Sequence, residues 1–337
     1  MKAWELVKFG QEKNLRLVER PIPVPGPGEV LVRVYAVSLN YRDKLLVEGI
    51  YMPTLQLPFV PASDASGEVA AVGDGVTRAA VGDRVVGQFR LRWIDGTPGP
   101  AEIALCLGGP LPGVLAEYVV WPQEAVVKAP SHLSYEEAAT LPIAGLTAWF
   151  ALMEDGRLKP GESVLVQGTG GVSLFAVQFA AMAGARVIVT SSSNEKLAKA
   201  KQLGATDTVN YRTTPDWDKT VLELTGGRGV NHVIEVGGGE TFKRSLNALA
   251  IDGHVAVVGF LGGVEFNVNA LSLIRKRVRV QGIAVGHRRA FEEMNRAIET
   301  HGLRPVIDRC LPFAAVNEAF AYLDKGAFGK IVIRVIE

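Results

Sequence analysis

The feature that most constrains this chain is a run of 23 residues, 163–185, without one charged side chain. About 20 apolar residues suffice for a membrane-spanning helix. Here Gln167, Gly168, Gly170, Gly171 and Gln178 interrupt the run. It reads instead as a strand at 163–167, a glycine turn, and a buried helix at 172–183.

The turn, Gly168-Thr169-Gly170-Gly171-Val172-Ser173, has the pattern GxGGxS. The usual dinucleotide fingerprint is GxGxxG or GxGxxA. Gly168 permits the tight turn, Gly170 lets the backbone approach a pyrophosphate, and Gly171 adds freedom beside it. Ser173 takes the third small position. The helix start offers free N–H groups and a positive dipole end to a phosphate. The competing reading is a glycine turn without a ligand.

The next strand ends Thr190-Ser191-Ser192-Ser193-Asn194-Glu195-Lys196. An NAD site usually carries an acid there for the ribose 2′-hydroxyl, and Ser191 stands in its place. Serine hydroxyls and Lys196 suit a 2′-phosphate, so the expected cofactor is NADPH. The serines also read as caps of a helix starting near Asn194; both readings hold together.

Strands and helices alternate from the glycine turn to about residue 282, which calls for a parallel sheet covered on both faces. The first ~125 residues are instead β-rich, with strands at 15–18, 29–38, 67–72 and 84–86 and a Gly- and Pro-rich loop at 88–112. The 337 residues fit two domains. Lys and Arg total 36 against 35 Asp and Glu, which removes the electrostatic case for nucleic acid or an anionic membrane as main partner. The first residues show no apolar signal core, so the expectation is a soluble, cytoplasmic protein.

With the turn come VGDRV at 81–85, GESVLV at 161–166 and LGA at 203–205. Together these resemble the medium-chain dehydrogenase/reductase superfamily, the alcohol dehydrogenase and quinone oxidoreductase group, over nearly the whole chain. The resemblance implies an α/β fold: a doubly wound Rossmann domain at 127–284, and a β-rich GroES-like catalytic domain from 1–126 and 285–337. The active site would lie in the cleft between them.

The resemblance also locates what is missing. Zinc-dependent members hold catalytic zinc with a Cys, a His and a later Cys or Asp. Asn40, Ser63 and Ile143 stand at those positions, and an amide, a hydroxyl and a hydrocarbon do not make the usual tetrahedral site. Arg42 replaces the proton-relay hydroxyl. Cys106 and Cys310 are the only cysteines, too few for the structural zinc lobe. No metal is expected, and the five histidines are read as structural or solvated.

Without zinc, the implied chemistry is hydride delivery to an acceptor that is already electrophilic: a quinone, an enal or an enone. Asn40 and Tyr51, in a pattern similar to the NxxD…GxY of quinone oxidoreductase-like members, are the catalytic candidates. Asn40 also reads as a turn cap and Tyr51 as a wall; Asp43 reads as a structural partner of Arg42. The resemblance further implies cofactor contacts from Thr147, Tyr211, Val236, Gly237, Val258, Gly259, Phe260, Ile283, Val285 and Lys330, with Tyr211 and Lys330 on the phosphates. An alternating strand at 277–281, near the sheet edge, implies a homodimer. An alcohol or ketone dehydrogenase with unusual residues and a noncatalytic NADPH-binding protein remain competing readings.

Overall fold

A computed structural model describes residues 1–336. They form two compact units, Met1–Leu146 with Gly286–Glu337, and Thr147–Val285.

The first unit is built around one long strand. Eleven residues of mostly β-branched and aliphatic character form β3 (Glu29–Leu39). One edge of β3 pairs with β4 (Asp64–Val72). The other edge is shared: β6 (Tyr118–Pro122) takes the first half and β15 (Lys330–Arg334) the second. The sheet runs β14 (Ile307–Pro312), β15, β3, β4, β5 (Arg84–Gly87), β7 (Val126–Lys128). A separate hairpin joins β1 (Lys2–Leu6) and β2 (Leu15–Glu19). Trp121, Leu6, Leu39 and Leu115 are among the side chains that fill the core beneath. Short helices α1 (Tyr41–Val47), α2 (Pro100–Ala104), α3 (Tyr135–Ala138) and α11 (Val316–Tyr322) and the longer α10 (Arg288–His301) complete the unit.

Residues 127–146, assigned from the sequence to the second domain, belong here. Their attachments explain the correction: β7 pairs with β5, Tyr135 stacks on Tyr35 at 4.2 Å, and the Ile143 N–H donates to Asp64 at 3.2 Å. The other crossing shifts by one residue, with Val285 ending the second unit.

That second unit has the expected parallel sheet. Its order is β10 (Asp207–Asn210), β9 (Arg186–Ser191), β8 (Ser163–Gln167), β11 (Val230–Glu235), β12 (Leu249–Val257), β13 (Arg279–Gly282). The reversal of strand order beside β8, the first strand, is the hallmark of a doubly wound fold. Helix α4 (Leu146–Trp149, its first residue in the other unit) precedes the sheet, and the crossover helices are α5 (Gly171–Met182), α6 (Asn194–Gln202), α7 (Trp217–Leu224), α8 (Gly239–Ala248) and α9 (Ala270–Lys276). The charge-free run thus becomes β8, the turn and α5, whose buried faces account for its apolarity. No helix among the described residues is long and apolar enough to cross a membrane.

Candidate functional site

In the second unit the phosphate-binding geometry is formed locally. Gly168 has φ +72°, a conformation glycine adopts without strain. A Cβ added at Gly170 would meet nothing within 4 Å, so the turn leaves open space at that backbone. Gly170 is the N-cap of α5, and no side chain caps the helix. The Ser173 hydroxyl donates to the Gln167 carbonyl at 2.7 Å, tying helix to strand. An uncapped, twelve-residue helix start beside open space is the arrangement an anionic phosphate fills.

The serine run lies at the adjacent strand end. Ser191 is buried, and its hydroxyl accepts from the Ser193 N–H at 3.5 Å. Ser193 caps α6 by accepting from the Lys196 N–H at 3.3 Å, as the capping reading expects. The exposed Tyr211 donates its N–H to the Ser191 carbonyl at 3.1 Å, which brings it to the same rim.

The segments at 236–238 and 258–263 meet at the C-terminal ends of β11 and β12. Leu261 and Gly262 N–H groups donate to Val236 and Gly237 carbonyls, at 3.1 and 2.6 Å. Beneath them sits a carboxylate that the sequence reading missed. Glu235 is 0% exposed. Its Oε1 accepts from Gly237 N, Gly238 N and the Thr241 hydroxyl at 2.8–2.9 Å; its Oε2 accepts from Gln167 Nε2 at 2.8 Å and Ser245 Oγ at 2.5 Å. Val285 is buried with φ +73°, strained for a β-branched residue. The Ile283 N–H is held by the Val257 carbonyl at 2.9 Å, so it is engaged within the sheet. Thr147 is buried on α4, and Phe260 is exposed.

Two histidines read as scattered are in fact neighbours. Parallel register sets His232 beside His254, with Nδ1 atoms 3.3 Å apart. Glu162 and Asp155 face their outer nitrogens at 3.0 and 2.8 Å. Burial pushes the His254 pKa down to about 3, with Arg279 and His232 acting in the same sense. Among the described residues no three His, Cys, Asp or Glu side chains come together as a metal-ion site.

In the first unit, the three positions that carry zinc ligands in metal-dependent members converge on a hydrogen-bonded network. Asn40 directly follows β3 as the N-cap of α1, and its N–H donates to Asp43 Oδ2 at 2.8 Å. Its side-chain Nδ2 donates to Asp64 Oδ2 at 2.9 Å, which also receives the Ile143 N–H. The Ser63 hydroxyl donates to Asp43 Oδ1 at 3.2 Å and accepts from Arg42, whose guanidinium also reaches the Leu107 carbonyl at 3.1 Å. That guanidinium lies 5.2 Å from the Tyr51 ring and 4.9 Å from the Phe89 ring. Tyr51 itself is 46% exposed. Burial pushes the Asp64 pKa up to about 7 against the opposing pull of Lys330 and Asn40, and it also raises Asp43. A cavity of about 350 Å³ is lined by Met52, Leu55 and Phe59, which follow Tyr51 in sequence, and by Pro110 and Pro112 of the Gly- and Pro-rich loop.

Lys330 requires a correction. It lies within the β-rich unit, 4% exposed. Its ammonium donates to the Leu39 carbonyl and to Asn40 Oδ1, both at 2.6 Å. Buried on two acceptors at the end of β3, it serves the Asn40 network and not a phosphate.

Comparison with known proteins agrees with this architecture. Residues 26–131 match the alcohol dehydrogenase GroES-like domain and residues 171–300 the family described as zinc-binding dehydrogenase. A zinc-type alcohol dehydrogenase-like protein of Schizosaccharomyces pombe is 45% identical, over 92% of this chain and 91% of its own. A quinone oxidoreductase-like protein 2 homolog of Nematostella vectensis is 34% identical, over 91% and 82%. A solved structure from Sinorhizobium meliloti 1021, provisionally described as an alcohol dehydrogenase, is 50% identical with a TM-score of 0.94, covering 99% of this chain and 98% of its own. The chain therefore belongs to the medium-chain dehydrogenase/reductase superfamily of oxidoreductases, as a quinone oxidoreductase-like member.

Proposed function

We propose that this protein is a zinc-independent, NADPH-dependent reductase of quinones or α,β-unsaturated carbonyl compounds. The observation that carries the reading is the set Asn40, Ser63 and Ile143. Asn40 and Ser63 commit their side chains to Asp64, Lys330, Asp43 and Arg42; Ile143 has a hydrocarbon side chain, its N–H is given to Asp64 and its carbonyl accepts from the Leu146 N–H. The match to the zinc-binding dehydrogenase family, at 171–300, contains none of these three positions.

NADPH, when bound, supplies the hydride. Gly168, Thr169, Gly170, Gly171 and Val172 form the cradle for its pyrophosphate, and Ser191, Ser192, Ser193, Lys196 and Tyr211 rim the 2′-phosphate. Thr147, Val236, Gly237, Val258, Gly259, Phe260, Ile283 and Val285 belong to the same cofactor set. Asn40 donates a hydrogen bond to the oxygen that gains negative charge as the acceptor is reduced, which is where a preorganised donor helps most. Tyr51, above the Arg42 cation, walls the acceptor and stands where a proton can be passed from solvent.

A substrate panel tests this. NADPH oxidation followed at 340 nm with 1,2-naphthoquinone and enals should show turnover. NADP with secondary alcohols should show none, and elemental analysis should find no stoichiometric metal. About one zinc per chain surviving dialysis, or alcohol oxidation faster than quinone reduction, would overturn the proposal.

A further inference from the structure

The Asn40 amide is held by two charged residues brought in from the strands on either side of β3. β15 pairs Ile331 with Leu39, which sets Lys330 against the end of β3. β4 pairs Asp64 with Ser38 on the other edge. Lys330 reaches Asn40 Oδ1 at 2.6 Å, and Asp64 Oδ2 receives Asn40 Nδ2 at 2.9 Å.

These contacts decide which way the amide faces. An ammonium only donates, so it must meet the amide oxygen; a carboxylate only accepts, so it must meet the NH₂ group. The flipped amide would set NH₂ against NH₃⁺ and C=O against COO⁻, in a buried place where like contacts are heavily penalised. Asp64 uses one of the two N–H bonds and leaves the second. The pair is itself tied down: Lys330 also bonds the Leu39 carbonyl, and Asp64 also takes the Ile143 N–H. Asp64 Oδ1 is buried without a hydrogen-bond partner, so the hold of Asp64 on the amide runs through Oδ2.

We propose that Lys330 and Asp64 are positioning residues that lock the Asn40 side-chain amide in one orientation, so that its second N–H is always the group presented to the acceptor's oxygen. This rests on the reading of Asn40 as the donor. It extends that reading by assigning a role in catalysis to two residues that touch no substrate.

The test combines side-chain amide NMR with kinetics. In protein labelled with ¹⁵N-asparagine, the Asn40 NH₂ pair is identified by its loss in Asn40→Ala. The locked amide should give two well-separated proton resonances. Lys330→Met keeps the length but removes the donor, and should bring those resonances together. Lys330→Gln restores a neutral donor and should restore their separation. In turnover of 1,2-naphthoquinone with NADPH, Lys330→Met should lower kcat at least ~10-fold, as Asn40→Ala does, while NADPH affinity stays within ~2-fold; that loss corresponds to removing about one positioned hydrogen bond. Lys330→Gln should recover most of kcat. The double variant Asn40→Ala/Lys330→Met should lose no more than Asn40→Ala alone, because residues acting as one unit are non-additive.

Should Lys330→Met leave an uncompensated buried carboxylate and fold poorly, Asp64→Asn/Lys330→Met removes both charges together and should show the same spectral and kinetic losses. Unchanged Asn40 resonances in Lys330→Met, or multiplicative losses in the double variant, would overturn the proposal while leaving Asn40 as donor. Full kcat in Asn40→Ala would overturn the donor reading and the proposal with it.

Discussion

Removing the Glu235 side chain should destabilise the dinucleotide-binding unit by about 4 kcal/mol. The figure follows from the donors it leaves behind. In Glu235→Ala, the Thr241 hydroxyl can fall back on the Gly238 carbonyl at 2.8 Å, and Gln167 Nε2 on Ser245 Oγ at 2.7 Å. The Gly237 N–H keeps a longer contact to Gln167 Oε1 at 3.3 Å. The Gly238 N–H and the Ser245 hydroxyl lose the acceptor they share with the others. Each buried orphan donor costs about 1–3 kcal/mol, and the cavity left by the side chain adds to this. At about 2–4 °C per kcal/mol for a unit of this size, the melting transition should fall by roughly 8–16 °C. Glu235→Gln keeps one acceptor oxygen and should fall by about half as much. Differential scanning calorimetry should read this fall, and NADPH titration should show weaker binding, because the 236–238 turn loses its anchor. A Glu235→Ala shift within about 2 °C of zero would refute the view that the carboxylate holds this turn.

Other outcomes follow from the same structure. NADPH should bind at least ~10-fold more tightly than NADH, about 1.4 kcal/mol; Ser191→Asp should reverse this, and equal affinities by intrinsic-fluorescence titration would refute it. The protein should be a dimer joined through β13, which among the described residues pairs only with β12 and has all four residues exposed; light scattering should give twice 36.1 kDa, and Val280→Pro should return the monomer. Asp64, raised from 3.8 to about 7, binds more protons folded than unfolded between those values, so its contribution to stability is full at low pH and is lost as pH rises toward 7. Urea melts should therefore show Asp64→Asn losing less stability than the unmutated protein between pH 5 and pH 8; parallel slopes would contradict the assignment.

Local signals were readable because they are local. The β8–turn–α5 unit is announced by consecutive residues, and its strand and helix fall where the apolar run and the glycines set them. Lys330 was misread for a definable reason. All but the last residue of β15 are buried, so no alternation marks which face a given side chain takes. The network around Glu235 depends on Gln167, 68 residues earlier, and His232 meets His254 only through strand register. Such pairings exist in the fold and leave no periodicity behind. The π-helical turns at Leu141–Gly145 and Phe150–Asp155 were likewise invisible, since their composition is that of an ordinary buried helix.

The shared edge of β3 has a consequence for how the protein is made. The contact from Lys330 to Leu39 spans 291 residues of chain. At about 5–20 residues per second, a ribosome takes roughly 15–60 s to deliver β15 after β3 has emerged. The Thr147–Val285 unit, contiguous in sequence, can fold during that interval, while half of one edge of β3 waits unpaired. The nascent chain thus completes its parallel-sheet unit before β15 reaches β3, and a ribosome stalled short of residue 330 would leave that unit whole but the Asn40 side chain without the Lys330 ammonium that holds its oxygen.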